Sequence, residues 1–193
     1  MFEVPSLEEI PEDLRSRIKE VAEKSGFVPN IFLTLARRPA EWRAFFAYHD
    51  ALMDKETPAL SKGDRELIVV ATSAENHCLY CVVAHGAIAR IRTRNPRIAD
   101  QVATDWRTAE LDDRQRAIIE VAVRLAVEPW TVSDELLGSL RAHGITDARA
   151  HPRSDFCVGC QTGAISRENT RPIVTLRLPA FAHIPPLRTL VPR

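Results

Sequence analysis

The sequence predicts an all-α protein, a helical bundle with an irregular, Arg- and Pro-rich C-terminal tail. Apolar residues recur at three- and four-residue steps through the first 148 positions, which is the spacing of one helix face. Several of these periodic segments begin with Ser, Asp or Pro, as helices commonly do. One stretch, 173–178, has strand character, but a lone strand has no partner with which to form a sheet.

The N-terminal helices follow from this periodicity and from its interruptions. Residues 11–24 form a first amphipathic helix, which Ser25-Gly26 ends. A short apolar segment follows Pro29. The third helix spans 39–53, where side chains recur at helical spacing: Trp42, Phe45, Phe46, His49, Leu52 and Met53.

The later helices have recognisable N-terminal signals. Ser61 and Asp64 resemble a capping box ahead of an apolar run, with Asp in place of the usual Glu. The next helix is predicted to start near Asn76 or His77 and to run to Ile91. Further N-terminal signals stand at Asn95-Pro96, Asp112 and Ser133, and the last helix ends at His143-Gly144.

The chain changes character near residue 148. Residues 1–148 carry 19 Lys+Arg and 24 Asp+Glu, whereas residues 149–193 carry 7 and 2. The tail also holds six of the thirteen prolines. We therefore predict an all-α domain over 1–148 and an irregular tail over 149–193.

The composition narrows the class of protein. The chain balances 26 basic against 26 acidic residues, which argues against a nucleic-acid binder or a partner of acidic membranes. Its apolar runs, among them 67–71, are too short to cross a bilayer, and its acidic start does not resemble a signal peptide. We expect a cytoplasmic protein, in which four cysteines indicate redox or metal chemistry rather than structural disulfides.

A Cys-x-x-Cys pair at a predicted helix N-terminus is the strongest chemical signal. Cys78 and Cys81 fall where free backbone N–H groups and the helix dipole favour a thiolate, and such pairs often have a lowered first pKa. Their spacing also brings the sulfurs close enough to bridge. His85 lies one turn after Cys81 on the same face, where it can accept a proton. Glu66 on the preceding helix can hold the imidazole or accept a proton from Cys78, so the four residues predict redox catalysis.

Other interpretations stand beside this one. Two buried cysteines, a hydrogen-bonded helix histidine and a solvated carboxylate are each ordinary features when taken alone. The cysteine pair and the histidine can also supply three ligands to a zinc ion, with Cys157 or Cys160 as the fourth. Otherwise these two tail cysteines form an incidental pair. Tyr80 and His77 flank the first pair and either line a substrate pocket or are simply exposed.

With these residues in view, the sequence resembles the alkylhydroperoxidase D-like group of the carboxymuconolactone decarboxylase superfamily, particularly its peroxidase-related branch. The family signature is Glu, eleven residues, Cys-x-x-Cys, three residues and His. Its four places are filled here by Glu66, Cys78, Cys81 and His85. The resemblance covers roughly residues 20–148.

This resemblance implies an all-α fold, homo-oligomers built by helix packing, and thiol peroxidase or disulfide reductase activity without a bound cofactor or metal. In its terms Cys81 attacks the peroxide, and Cys78 resolves the resulting sulfenic acid into a disulfide. His85 accepts the proton, and Glu66 forms the far end of the proton relay. The implied partners are a hydroperoxide substrate and a dithiol electron donor such as a lipoyl domain.

Two positions depart from the family pattern. Tyr80 stands where the alkylhydroperoxidase D type has a histidine, which fits the peroxidase-related branch. After Thr146-Asp147, relatives continue with a long amphipathic helix that carries an Asn-Arg pair, and this sequence does not. We hypothesise that residues 149–193 are the product of a shifted reading frame.

We therefore predict a peroxidase-like oxidoreductase that reduces hydroperoxides through its cysteine pair. One alternative is a disulfide reductase that serves a peroxiredoxin. The other is a redox-sensing or zinc-binding module without turnover. Steady turnover with a dithiol distinguishes the enzymes from the sensor, and stoichiometric zinc would indicate the metal module.

Overall fold

The structure, a computed structural model, describes residues 5–145 of the chain. These residues form eight α-helices and one 3-10 helix, and no strand occurs among them. The helices are α1 (Glu12–Ser25), α2 (Asn30–Ala36), α3 (Pro39–Met53), α4 (Lys62–Glu75), α5 (Leu79–Thr93), α6 (Ile98–Asp105), α7 (Asp113–Val127) and α8 (Asp134–Ala142), with the 3-10 helix at Pro129–Thr131. The all-α prediction is confirmed. The predicted tail over 149–193, the hypothesis of a shifted frame and both tail cysteines lie outside the described residues.

Several predicted helix ends are confirmed. Gly26 follows α1 with φ of 79°, a left-handed conformation that Gly adopts without steric cost. Ser61 and Asp64 form the predicted capping box at α4, each side chain accepting a hydrogen bond from the other's backbone N–H. Asp112 and Ser133 cap α7 and α8 in the predicted positions.

The described residues divide into two compact units, the first ending at Ala47 and the second starting at Tyr48. In the first unit the predicted α1 face is buried through Leu14 and Ile18. Trp42 and Phe46 of α3 belong to the same apolar cluster, and the Trp42 indole donates a hydrogen bond to a backbone carbonyl of α2.

The second unit is organised around α4, which packs against α5, α6 and α7. Every α4 residue from Gly63 to Ser73 is buried. One apolar cluster joins α4 to α7 and α8, and another joins it to α5, α6 and α7. A polar side chain on α4, such as that of Glu66, is therefore held inside the unit and not in solvent. Among the described helices, none combines the length and apolar character needed to cross a bilayer.

The junction between α4 and α5 differs from the prediction. The helix that bears the cysteines was expected to start near residues 76–77 and to place Cys78 inside its first turn. Instead α4 continues to Glu75 and α5 begins at Leu79, so Cys78 is the N-cap of α5. Cys81 is the third residue of that helix.

A Schellman motif at the end of α4 explains the difference. The His77 N–H donates to the Ala74 carbonyl and the Cys78 N–H to the Ser73 carbonyl, each at 2.9 Å. This pattern needs one left-handed residue, and His77 supplies it with φ of 56°. A glycine would have marked this helix end in the sequence, whereas a histidine did not.

Candidate functional site

A short hydrogen bond joins two of the predicted site residues, Glu66 and His85. The Oε2 atom of Glu66 on α4 lies 2.7 Å from Nδ1 of His85 on α5. Glu66 is 2% exposed and the histidine is half-buried, so the contact is protected from water. Because a carboxylate only accepts hydrogen bonds, Nδ1 carries the proton and Nε2 is the nitrogen left to act as a base.

Arg92 holds the second oxygen of the Glu66 carboxylate. Its Nε lies 3.8 Å from Oε1, so the carboxylate lies between an imidazole and a guanidinium. The guanidinium also donates to the Met53 carbonyl and to Asp54 Oδ1, both at 3.3 Å. These contacts fix the position of Arg92 and stabilise a negative charge on the buried Glu66.

The cysteine pair lies at the start of the same helix. Cys78 is 3% exposed and Cys81 is 7% exposed, and neither forms a disulfide in the structure. Cys81 and His85 are four residues apart on α5, so they occupy the same helix face one turn apart. The residues that the sequence singled out therefore occupy the N-terminal half of α5 and the facing part of α4.

The pKa of the Cys81 thiol is raised, an effect that the sequence, which predicted a lowered first pKa for the pair, did not indicate. The Cys78 sulfur, which hydrogen-bonds to it and repels a second negative charge, raises the pKa of Cys81, and burial adds to the effect. The helix dipole had suggested a lowered pKa for the first proton that the pair releases. That argument left out the second sulfur, since two neighbouring thiols share their protons and the pair holds its second proton tightly.

Ser73 provides an opposing effect at the same sulfur. A hydrogen bond from its side chain to the thiolate form of Cys81 lowers the pKa of that thiol, against the larger influence of Cys78. Ser73 is fully buried near the end of α4, and its backbone carbonyl accepts the Cys78 N–H. Its hydroxyl is thus placed beside the cysteine pair by the Schellman motif.

A second histidine lies beside the first. The rings of His49 and His85 have centroids 6.5 Å apart, and His49 Nδ1 lies 3.2 Å from Asp50 Oδ1. His49 belongs to the last turns of α3, and the sequence had indicated it only as one of the periodic residues of that helix. A second imidazole at this distance adds a titratable group next to the Glu66–His85 contact.

The two residues predicted to flank the cysteines have different positions. Tyr80 is half-buried in the first turn of α5. His77 is exposed and supplies the left-handed backbone of the Schellman motif. Within residues 5–145, no group of three or more His, Cys, Asp or Glu side chains is arranged to hold a metal ion. The tail cysteines considered as zinc ligands lie outside this range.

Sequence reasoning missed Ser73 and Arg92, although a signal for both was present. Ser73 follows Glu66 by seven residues, and Arg92 follows His85 by the same interval. Seven residues are two helical turns, so each lies on the face of its helix that carries a predicted site residue. Intervals of seven residues are common in any helix. These two indicate a shared site only because α4 packs against α5.

Comparison with known proteins identifies the family. A family model described as the carboxymuconolactone decarboxylase family matches residues 39–124, a range that contains all four signature residues. No significant match was found among proteins with curated descriptions.

Two solved structures are similar to the chain over most of its length. One is described as an alkylhydroperoxidase AhpD core, an uncharacterized peroxidase-related protein from Ralstonia eutropha JMP134, with 49% identity and a TM-score of 0.79. The other is an uncharacterized peroxidase-related protein from Silicibacter sp. TM1040, with 28% identity and a TM-score of 0.78. Each alignment covers 86% of this chain and 87% of the other. The chain therefore belongs to the alkylhydroperoxidase D-like group of the carboxymuconolactone decarboxylase superfamily.

Proposed function

We propose that the protein is a thiol-dependent peroxidase that reduces hydroperoxides through Cys81 and Cys78, with His85 and Glu66 as its proton relay. Membership of the family and the two peroxidase-related neighbours fit a peroxidase-like enzyme. The specific chemistry, the roles of the four residues and the electron donor are our proposal.

The observation that supports this function best is the buried hydrogen bond between Glu66 and His85. A carboxylate on Nδ1 orients the ring and stabilises the imidazolium that forms when Nε2 takes up a proton. A structural histidine on a helix needs no such buried anionic partner. The shared face of α5 puts this base one turn from the sulfur that it would serve.

The first step consumes the peroxide. The Cys81 proton passes to Nε2 of His85, and the thiolate attacks the terminal peroxide oxygen. The O–O bond breaks, Cys81 becomes a sulfenic acid, and the proton held by His85 goes to the departing alkoxide to give an alcohol. The sulfur loses two electrons, and the peroxide gains them.

The second step regenerates the thiols. The Cys78 thiol attacks the sulfenic sulfur, and water leaves as the disulfide forms. An external dithiol then reduces the disulfide by thiol–disulfide exchange and is itself oxidised to a cyclic or protein disulfide. One hydroperoxide and one dithiol are thus converted to an alcohol, water and a disulfide. A lipoyl group is the donor that we propose, because a slender arm suits a buried pair.

Burial of the sulfurs also favours a small peroxide over a protein disulfide as the oxidant. With exposures of 3% and 7%, neither sulfur is open to the flat surface of another folded protein. A disulfide reductase that serves a peroxiredoxin would have to bring a protein disulfide to these atoms. If the protein reduces an oxidised peroxiredoxin faster than it reduces a hydroperoxide, the disulfide reductase alternative is favoured.

Compartment and assembly belong to the same proposal. The cycle needs a supply of reduced dithiol, which the cytoplasm provides, and we propose that compartment. We also propose a homo-oligomer, as the family resemblance implies. Three apolar side chains of α5, those of Leu79, Ile88 and Ile91, are exposed in the single chain. Analytical ultracentrifugation gives the mass that tests this point.

Trapping of the sulfenic acid tests the roles of the two cysteines. In a Cys78→Ser variant one equivalent of hydroperoxide is expected to leave a sulfenic acid on Cys81, detectable with dimedone and located by peptide mapping. The matched variant, Cys81→Ser, is expected to show no label on Cys78. Label on Cys78 alone would reverse the two roles, and label on neither would contradict the proposed chemistry.

A further inference from the structure

Either Cys78 or Cys81 can carry the negative charge of the pair, and the helix terminus does not favour Cys81. Cys78 is the N-cap of α5 and makes no side-chain capping hydrogen bond there. The N-cap lies at the positive end of the helix dipole, where an anion is favoured. Repulsion between the sulfurs allows only one of them to be charged at neutral pH. On these grounds alone the charge would reside on Cys78, the sulfur to which the proposed function gives the resolving role.

Ser73 is the group that can change this balance. Its Oγ is completely buried and has no hydrogen-bond partner within residues 5–145. By contrast, the hydroxyl of the preceding residue, Thr72, is equally buried and donates to the Ile68 carbonyl at 2.8 Å. Serine hydroxyls inside helices usually bond to such a carbonyl. The Ser73 hydroxyl therefore needs a hydrogen-bond acceptor that the two protonated cysteines do not provide.

We propose that the Ser73 hydroxyl selects Cys81 as the sulfur that carries the negative charge, by donating a hydrogen bond to its thiolate. This inference deepens the proposed function and rests on it for the statement that Cys81 attacks the peroxide. The hydroxyl donates to the Cys81 sulfur when that sulfur is a thiolate, which is a far stronger acceptor than the protonated thiol.

Two observations support the assignment. The Ser73 side chain lowers the pKa of the Cys81 thiol, against the opposing effects of Cys78 and of burial. The Ser73 carbonyl accepts the Cys78 N–H at 2.9 Å, which fixes the residue at the junction where the two sulfurs meet. A buried hydroxyl without a partner costs stability, so its presence is better explained by function than by packing.

Alkylation of the reduced full-length chain tests the proposal without any peroxide. Less than one equivalent of iodoacetamide is added at pH 7.5, and fragmentation of the tryptic peptide that contains both cysteines gives the ratio of labelled Cys81 to labelled Cys78. In Ser73→Ala this ratio is expected to fall at least about threefold relative to the wild type, as loss of one hydrogen bond implies.

A matched control and a stability measurement complete the design. Thr72→Val removes a neighbouring buried hydroxyl of the same helix that already has a carbonyl acceptor, and we expect its ratio to stay that of the wild type. The Tm of Ser73→Ala is expected to equal or exceed that of the wild type, because an unsatisfied polar group has been removed. A fall in the ratio of less than threefold in Ser73→Ala, or an equal fall in Thr72→Val, would overturn the proposal.

The result is separable from the proposed function. If the ratio shifts but the wild type turns over no hydroperoxide, the selection by Ser73 stands and the peroxidase proposal fails. If the wild type turns over hydroperoxide and the ratio does not shift, the peroxidase proposal stands and the selection by Ser73 fails.

Discussion

The Glu66 carboxylate and the His85 imidazole are hydrogen-bonded at 2.7 Å, from Oε2 to Nδ1, across the paired helices α4 and α5. This contact ties the cysteine-bearing helix to the most buried helix of the unit. It also fixes which imidazole nitrogen exchanges protons, because Nδ1 is committed to the carboxylate.

Glu66→Gln is expected to lower the rate of hydroperoxide reduction by about tenfold or more, near the low end for disturbing a general base. The amide oxygen can still accept from Nδ1, but it carries no charge to stabilise the imidazolium. The rate is measured under saturating dithiol. Glu110→Gln, which removes an exposed carboxylate paired with Arg97, serves as the control. Equal rates in Glu66→Gln and the control would contradict the relay.

Arg92→Ala is expected to lower the free energy of unfolding by about 1.5–3 kcal/mol, the range for hydrogen bonds to charged groups. The change removes contacts to the Met53 carbonyl, to Asp54 and to Glu66, and leaves the last of these buried without its cation. Urea denaturation measures the loss. Arg97→Ala, at an exposed ion pair, is expected to change stability by less than about 0.5 kcal/mol. Similar losses of unfolding free energy in Arg92→Ala and Arg97→Ala would contradict the stabilising role of the Arg92 contacts.

His77→Gly separates a backbone role from a role in a substrate pocket. At φ of 56° a glycine relieves the left-handed strain of histidine, and we expect the free energy of unfolding to rise by about 0.5–1 kcal/mol. Thermal denaturation and the peroxidase assay give the two readouts. We expect His77→Gly to keep full activity and His77→Ala to gain no stability. A large loss of activity in both variants would mean that the side chain lines the pocket.

The tightly held second proton of the cysteine pair predicts a specific loss of stability at alkaline pH. The unfolded chain ionises both thiols near pH 8.5, whereas in the folded protein the charge on one sulfur makes the other hold its proton to higher pH. Stability is therefore complete below about pH 8.5 and falls above it, by up to about 1.4 kcal/mol per pH unit from this group. Denaturation of the reduced protein between pH 7 and 10, compared with Cys81→Ser, isolates the effect. Parallel pH profiles in the two proteins would contradict the raised pKa.

Much of the fold could be predicted because its signals are local. The capping box of Ser61 and Asp64 and the caps of Asp112 and Ser133 each depend on side chains within four residues of the helix start. The start of α5 could not be predicted, because the left-handed residue that delays it is His77 and not a glycine. Local propensity alone does not indicate a Schellman motif there.

The candidate site was less predictable from the sequence. The contact of Glu66 with His85 was expected, because a carboxylate on the preceding helix can hold the imidazole. Ser73 and Arg92 were missed because their roles depend on the pairing of α4 with α5. The raised pKa of Cys81 was not predicted, because the helix-dipole argument concerned the first proton that the pair releases and left out the effect of one sulfur on the other.

The most direct test of the central claim is the steady-state rate at which the protein consumes a small alkyl hydroperoxide with dithiothreitol or dihydrolipoamide as donor. Wild type is compared with Cys81→Ser, His85→Ala and the control His143→Ala, which changes an exposed histidine at the end of α8. We predict that the first two variants fall by at least about tenfold, as loss of a nucleophile or of its base requires, while the control keeps the wild-type rate. Equal rates in all four proteins would contradict the claim.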